Sequence, residues 1–175
     1  KDIHVADERL DGYSAMLAHN FEKHGHKIKY PCDVQPKLDG IRCLVTRDGF
    51  FSRGRKEFTS CQHIWEELKP FFKENPNAKL DSEFYTHAYK DDFEKICKAV
   101  KKTAEKATIA DIKQQSRIQY YIYDAPVIGP YTENDPFAKR QSEIVKAFKD
   151  FKHVVVVPTY EAQSVDEVEK YKTEW

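Results

Sequence analysis

The stretch from residue 41 to residue 53 constrains the fold of this chain most, because it has the pattern of a β-hairpin. Ile41–Thr46 and residues 50–53 have strand-like composition, and Asp48-Gly49 between them is a typical two-residue hairpin turn. A hairpin joins antiparallel strands. The sequence therefore predicts a sheet that is at least partly antiparallel.

The predicted hairpin places three arginines close together. Pairing about Asp48-Gly49 sets Arg42 opposite Arg55 and Leu44 opposite Arg53. Because side chains alternate along a strand, the three arginines share one face of the hairpin. Such a face is compatible with a solvated surface as well as with an anion-binding site, so this pattern alone leaves the function open.

Helical and strand-like segments alternate along the rest of the chain. Further strands are predicted at Lys79–Tyr85, 118–123 and 154–159. Between them lie amphipathic helical patterns with N-terminal signals. These signals are Ser60, Asp92, Asp135 with Pro136, and Ser164 with Glu167. Together with the hairpin, this alternation predicts an α+β fold, with no linker that would mark a domain boundary.

Composition narrows the function classes. The chain has 175 residues, 40% of them hydrophobic, with 29 basic and 29 acidic side chains. It can bury a core, and no apolar run approaches the roughly 18 residues that a membrane span needs. A net charge of zero argues against a nucleic-acid binder that acts through bulk charge. The charge is nevertheless uneven, because residues 42–56 hold five basic side chains against Asp48 alone.

The cysteines indicate the compartment. Cys32, Cys43, Cys61 and Cys97 form no C-x-x-C pair and no zinc-ribbon pattern. A chain of this size can fold without disulfides. We therefore expect reduced thiols in an intracellular protein.

Three short segments carry chemistry-bearing residues. Lys37 is held between Pro36 and an Asp-Gly turn. Asp81 and Glu83 share one face of a predicted strand about 7 Å apart, a spacing at which a hard cation such as Mg²⁺ relieves their repulsion. Tyr121 and Tyr123 share a strand face and could stack on a flat ring or pack in the core.

In combination, these segments resemble a known superfamily. PKLDGIR at 36–42 is similar to the K-x-D-G-x-R nucleophile motif of covalent nucleotidyltransferases. SRGR at 52–55, LDSEF at 80–84 and YYIYDAP at 120–126 follow in that superfamily's order. The D-G-I-R run most resembles the small viral and bacteriophage ATP-dependent DNA ligases. This resemblance implies a nucleotidyltransferase (adenylation) domain with largely antiparallel sheets flanked by helices.

The resemblance implies a role for each matching residue around the lysine. Lys37 would attack the α-phosphate of ATP and carry AMP. The attack needs a neutral amine, which only about one ordinary lysine in a few thousand provides at pH 7, so nearby cations must favour it. Asp39 would orient the lysine or the turn. Arg42 would contact the ribose, and Arg53 the ribose or later the nick phosphate.

Four more residues match the superfamily's other contacts. Glu83 would contact the ribose and a metal ion, with Asp81 as the weaker metal candidate. Tyr123 would stack on adenine. Gln35 lies where an adenine-reading residue is usually found.

The activity implied by the resemblance is ATP-dependent DNA ligation. AMP would pass from Lys37 to the 5′-phosphate of a nick, and the 3′-OH would then seal it. The implied cofactors are ATP and Mg²⁺ or Mn²⁺, and the implied partner of a monomeric enzyme is nicked double-stranded DNA. Such an enzyme would serve DNA replication, repair and recombination inside a cell, including a virus-infected one. The alternatives are an RNA ligase, an mRNA capping nucleotidyltransferase, and a non-catalytic nucleic-acid-binding module of the same fold.

The sequence also departs from the superfamily pattern. No E-G-[hydrophobic] strand occurs among the 175 residues, so the K-x-K pair that follows that strand in relatives has no counterpart here. We therefore expect residues 1–175 to form the N-terminal portion of an adenylation domain, without an oligonucleotide-binding (OB) domain. We expect these residues alone to be inactive in nick sealing.

Overall fold

The computed structural model describes residue 10 and residues 12–174. The strands are β1 (Cys32–Val34), β2 (Ile41–Thr46), β3 (Gly49–Ser52), β4 (Glu57–Phe58), β5 (Lys79–Tyr85), β6 (Gln119–Ile128), β7 (Tyr131–Thr132), β8 (Val154–Val156) and β9 (Tyr160–Ala162). The α-helices are α1 (Phe21–His24), α2 (Gln62–Glu74), α3 (Phe93–Lys101), α4 (Ile109–Gln115), α5 (Phe137–Phe148) and α6 (Val165–Glu174).

The chain divides into two compact units. The larger contains Leu38–Val156 and the described residues up to Ser14, and the smaller contains Ala15–Lys37 and the described residues after Val156. The smaller unit is made of two segments that are far apart in sequence. This explains why the sequence carries no linker-like signal at its boundaries.

The larger unit is built on one sheet in the order β4-β3-β2-β5-β6-β7, with β8 also paired to β6. Only the β6–β8 pair is parallel among the described strands. Helices α2 to α5 belong to the same unit. The α+β class and the largely antiparallel sheets are thus confirmed.

The hairpin forms, with a different register from the predicted one. The turn residues are Arg47 and Asp48, because Thr46 pairs with Gly49 and Leu44 pairs with Phe51. The predicted register was therefore wrong by two residues. A shift of two keeps every side chain on its face, since strand alternation has a period of two.

Aromatic rings fill the core beneath the sheet. The ring of Phe50 lies 5.1 Å from that of Phe84, 5.5 Å from that of Trp65 and 6.0 Å from that of Tyr120. Trp65 lies on α2, so this cluster packs the helix against the central strands. Offset and edge-to-face rings at these distances stabilise a core beyond the area that they bury.

Two of the predicted helix starts are correct and two are not. The side chains of Asp92 and Ser164 accept hydrogen bonds from the N–H groups of Lys95 and Glu167, as N-caps do. The Ser60 hydroxyl donates instead to the Val100 carbonyl. Likewise, the Asp135 carboxylate accepts from Thr132 at the β7 turn, and α5 begins after Pro136.

The smaller unit pairs β1 with β9 and carries α1 and α6. The ring of Tyr160 stacks on that of Tyr171 at 5.2 Å, which joins β9 to α6. The capping pattern at Ser164 and Glu167 predicts a last helix that carries Val168, Tyr171 and Trp175, and Trp175 lies outside the described residues.

Two further expectations concern membrane-spanning helices and the state of the cysteines. Within residues 10 and 12–174, no helix is long and apolar enough to cross a bilayer. All four cysteines are free thiols in the structure.

Candidate functional site

Arg42 of β2 and Asp81 of β5 form a bidentate ion pair. Arg42 Nε donates to Asp81 Oδ1 at 2.5 Å, and Arg42 Nη2 donates to Oδ2 at 2.6 Å. Asp81 is nearly buried whereas Arg42 is partly open to solvent. The hydrogen bonds to Asp81 raise the pKa of the Arg42 guanidinium. The pair fixes the plane of the Arg42 guanidinium, and planar guanidinium groups bind phosphate and carboxylate groups with defined geometry.

Glu83 holds the turn that follows the lysine motif. It pairs with Arg42 in the β2–β5 ladder, and its Oε1 accepts a hydrogen bond from the Gly40 N–H at 3.1 Å. Any side chain at residue 40 would place its Cβ 2.3 Å from the Phe84 carbonyl oxygen. The glycine is therefore required by the close approach of the turn to β5.

A β-bulge directs Tyr123 toward the same turn. Ser82 pairs with Ile122 and Asp81 pairs with Asp124, so Tyr123 is the extra residue of β6 between these two pairs. Bulges re-aim side chains in this way. The Tyr123 hydroxyl accepts a hydrogen bond from the Leu38 N–H at 3.1 Å. The residue immediately after Lys37 is thus tied to the middle of the sheet.

The phenol of Tyr123 is kept neutral. Burial, followed by the negative charge of Glu83, raises the pKa of Tyr123 to about 12. Both causes disfavour a phenolate. The hydroxyl therefore remains protonated at any physiological pH.

Gln35, Lys37 and Asp39 lie on either side of the boundary between the two units. Gln35 belongs to the smaller unit, where its Nε2 donates to Thr159 Oγ1 at 3.0 Å. Lys37 is exposed and is the last residue of that segment. Asp39 is exposed and follows Leu38 in the larger unit.

Arg53 lines a cleft with Arg42. The cleft has a volume of about 460 Å³ and lies between the end of the β2–β3 hairpin and the end of α3. The structure thus brings Arg42 and Arg53 to one cleft, but Arg53 and Arg55 both lie beyond the end of β3, so the predicted hairpin face of three arginines was wrong. Arg55 lies in the turn before β4 in a left-handed backbone conformation. The charged residues of the lining are Arg42, Arg53, Lys56, Lys101 and Glu57.

The two predicted metal ligands differ in their surroundings. Both oxygens of Asp81 accept hydrogen bonds from Arg42, so this carboxylate already serves a cation and does not fit a metal ligand. Glu83 accepts the Gly40 N–H at Oε1, and carboxylate oxygens are ligands that Mg²⁺ prefers in proteins. No cluster of three or more acidic, histidine or cysteine side chains suited to a metal ion occurs within the described ranges.

Sequence reasoning missed the ion pair next to Tyr123. Arg140 of α5 donates to both carboxylate oxygens of Asp124 at 2.9 Å and also to the Asp135 carbonyl. It anchors α5 to β6 at the bulge. The signal available in the sequence was an arginine among the apolar positions of the α5 pattern.

In chemical terms, these groups can bind an anionic ligand that carries a flat ring. The cleft offers cations, β6 offers an aromatic ring and Glu83 offers a carboxylate. The Leu38 and Gly40 amides fix the turn that follows an exposed lysine.

Comparison with known proteins identifies the family. Residues 15–175 match the family described as "ATP dependent DNA ligase domain". The chain therefore belongs to the ATP-dependent DNA ligase domain family. No match to the chain was found among curated proteins.

Solved structures agree in fold. A Lig E DNA ligase superimposes with a TM-score of 0.66 at 19% identity, over 92% of this chain and 56% of that one. Chlorella virus DNA ligase-adenylate gives 0.62 at 18% identity, over 92% of this chain and 54% of that one. The ATP-dependent DNA ligase of bacteriophage T7, in complex with ATP, gives 0.54 at 12% identity, over 90% and 57%. The chain thus spans a little over half the length of these ligases, and at such identities the likeness establishes the fold.

Proposed function

We propose that the protein is an ATP-dependent DNA ligase that carries AMP on Lys37. The observation that carries this proposal is the anchored turn after Lys37, where the N–H groups of Leu38 and Gly40 are bound by Tyr123 and Glu83. The family match and the basic cleft support it. The prediction that residues 1–175 are the N-terminal portion of an adenylation domain stays a prediction.

The proposed chemistry has three displacements. The neutral amine of Lys37 attacks the α-phosphorus of ATP, an N–P bond forms, and the bond to pyrophosphate breaks, while the amine releases a proton to solvent. The 5′-phosphate of nicked DNA then attacks the same phosphorus, an O–P bond forms, the N–P bond breaks, and the lysine amine takes up a proton. Finally, the 3′-OH attacks the activated 5′-phosphate, a phosphodiester bond forms, the bond to AMP breaks, and the hydroxyl proton passes to solvent.

We propose that the two arginines contact the substrates and that the turn residue Asp39 orients the nucleophile. Arg42, oriented by Asp81, contacts the ribose, and Arg53 contacts the ribose or the nick phosphate. Asp39 orients the lysine turn. Cationic groups near the α-phosphate favour both the neutral amine and the charge that develops on the phosphate oxygens.

In this proposal, adenine stacks on the ring of Tyr123 and is read by the amide of Gln35, which Thr159 orients. The ring of Tyr123 is half-buried, and an aromatic ring can stack on a flat ligand ring. We assign the Mg²⁺ or Mn²⁺ ligand to Glu83, with Asp81 as the residue that positions Arg42. The bound metal would supply Lewis-acid stabilisation of phosphate charge.

Radiolabel transfer tests the proposal directly. The whole protein is incubated with α-labelled ATP and Mg²⁺ and then resolved by denaturing electrophoresis. We expect the wild type to retain label and Lys37→Ala to lose it completely, because alanine has no amine to form the N–P bond. Lys69→Ala, an exposed lysine on α2, is the matched control and should label like the wild type.

The alternatives give different results in the same assay. Label retained by Lys37→Ala would refute the nucleophile. Label from GTP instead of ATP would indicate a capping nucleotidyltransferase, and sealing of nicked RNA but not nicked DNA would indicate an RNA ligase. Absence of label from either nucleotide, with DNA binding preserved, would indicate a non-catalytic module.

A further inference from the structure

The hydroxyl of Tyr123 contacts the peptide bond of the proposed nucleophile. The N–H that it accepts is that of Leu38, which belongs to the Lys37–Leu38 peptide bond. A peptide bond is planar, so its N–H, its carbonyl and the two flanking Cα atoms move as one unit. Fixing this N–H therefore restrains the Cα from which the Lys37 side chain extends.

A second anchor limits the same turn. The Gly40 N–H is bound by Glu83, and the backbone of residue 40 lies against that of Phe84. The turn is thus held at Leu38 and at Gly40, on both sides of Asp39. With Gly40 fixed, the hydrogen bond at Leu38 decides the orientation of the peptide plane that leads back to Lys37.

Ring stacking does not explain why the side chain at position 123 carries a hydroxyl group. A phenylalanine offers the same aromatic face to a flat ligand, so stacking gives no reason for a tyrosine. The phenol stays neutral because burial raises the pKa of Tyr123 to about 12. The bulge of β6 directs this hydroxyl toward the turn at residues 38–40.

We propose that Tyr123 is a positioning residue for the attack of Lys37 on ATP, and that its hydroxyl sets the Lys37–Leu38 peptide plane. This inference rests on the proposed function, because it assigns a task within the first displacement. It separates two roles of one side chain. The ring contributes to ATP affinity, and the hydroxyl contributes to the rate at which bound ATP reacts.

Single-turnover labelling of the whole protein tests the proposal with Tyr123→Phe. At saturating ATP, the rate constant of lysine adenylylation should fall about 5- to 20-fold, since a small misplacement of a reacting group is costly. The ATP concentration for half-maximal rate should change less than about twofold, because the ring remains. Tyr85→Phe is the matched control: its hydroxyl bonds to His87 Nδ1 at 3.2 Å, and its loss should leave both quantities unchanged.

Hydrogen exchange gives a readout that does not depend on activity. The Leu38 amide should exchange about 10-fold faster in Tyr123→Phe than in the wild type, with thermal stability checked in parallel. An unprotected Leu38 amide in the wild type would overturn the proposal even if the variant did not fold.

The kinetic outcomes separate the two proposals. A wild-type rate for Tyr123→Phe, or a loss confined to ATP affinity, would overturn the positioning role and leave the ligase assignment standing. A wild type that forms no lysyl-AMP would refute the ligase assignment, and the positioning role with it.

Discussion

At the residue scale, the site leaves no room for a side chain at Gly40. In Gly40→Ala the new methyl group would lie 2.3 Å from the Phe84 carbonyl oxygen and 2.8 Å from Glu83 Cγ. The turn and β5 must separate to admit it. We expect a loss of about 1–3 kcal/mol in the free energy of unfolding, measured by urea denaturation, together with slower lysine adenylylation.

Gly54→Ala is the matched control for this substitution. The nearest atom to its new Cβ would be Ser52 Oγ at 3.9 Å, an ordinary contact distance. Its unfolding free energy should stay within about 0.5 kcal/mol of the wild-type value. Equal losses in the two variants would contradict the close approach at residue 40.

Residue types were easier to predict from the sequence than residue contacts. Motif spacing indicated Arg42, Asp81, Glu83 and Tyr123 as site residues, and strand alternation placed Asp81 and Glu83 on one face. The partners were not predictable, because the contact of Arg42 with Asp81 depends on the register between β2 and β5, which are far apart in sequence. Asp81 was predicted as the weaker metal candidate, and in the structure its carboxylate pairs with the guanidinium of Arg42.

At the element scale, one arginine of α5 forms the ion pair that joins this helix to β6. Arg140→Met would leave the Asp124 carboxylate and the Asp135 carbonyl without their guanidinium donor. Because only 10% of the Arg140 side chain is exposed, water replaces this donor poorly. We expect a loss of about 2–4 kcal/mol in unfolding free energy.

Lys146→Met on the exposed side of the same helix provides the comparison. It removes a charge without breaking a buried ion pair, and its effect on urea denaturation should stay within about 0.5 kcal/mol. If Arg140→Met lowered the unfolding free energy no more than Lys146→Met, the ion pair with Asp124 would not be what attaches α5.

Element types followed from local pattern, whereas element boundaries depended on tertiary contacts. Lys79–Tyr85 was predicted residue for residue. The hairpin register was wrong because Gly49 begins a strand instead of completing the turn. The start of α2 was wrong because the Ser60 hydroxyl is used by Val100, a contact across 40 residues that no local rule reveals.

At the scale of the whole molecule, burial should divide the four thiols of this chain into two classes. Cys43 and Cys61 are fully buried, and Cys32 and Cys97 are partly accessible. Burial raises the pKa of Cys61 to about 12 and that of Cys43 well above its usual value. Since the thiolate is the reactive form, the buried pair should react far more slowly with a thiol reagent at pH 8.

Peptide mass spectrometry after timed labelling checks this division. Cys32 and Cys97 should be modified first in the native protein, and all four after denaturation without reductant. Adding reductant should not change the melting temperature. Rapid native labelling of Cys43, or a cysteine that stays unlabelled after denaturation, would contradict the structure.

The overall architecture was predictable because four motifs in a fixed order specify it, and the family match bears this out. The division into two units was not predictable. The smaller unit joins residues 15–37 to the segment after Val156, and segments so distant in sequence leave no compositional boundary.

The bulge in β6 has a consequence for how position 123 can be studied. Main-chain pairing of Ile122 and Asp124 on its two sides fixes the backbone there. Side-chain chemistry at this position can therefore be varied at constant backbone geometry. A series of fluorinated tyrosines at position 123 would therefore vary the hydrogen-bond acceptor strength of the hydroxyl oxygen while its location stays the same.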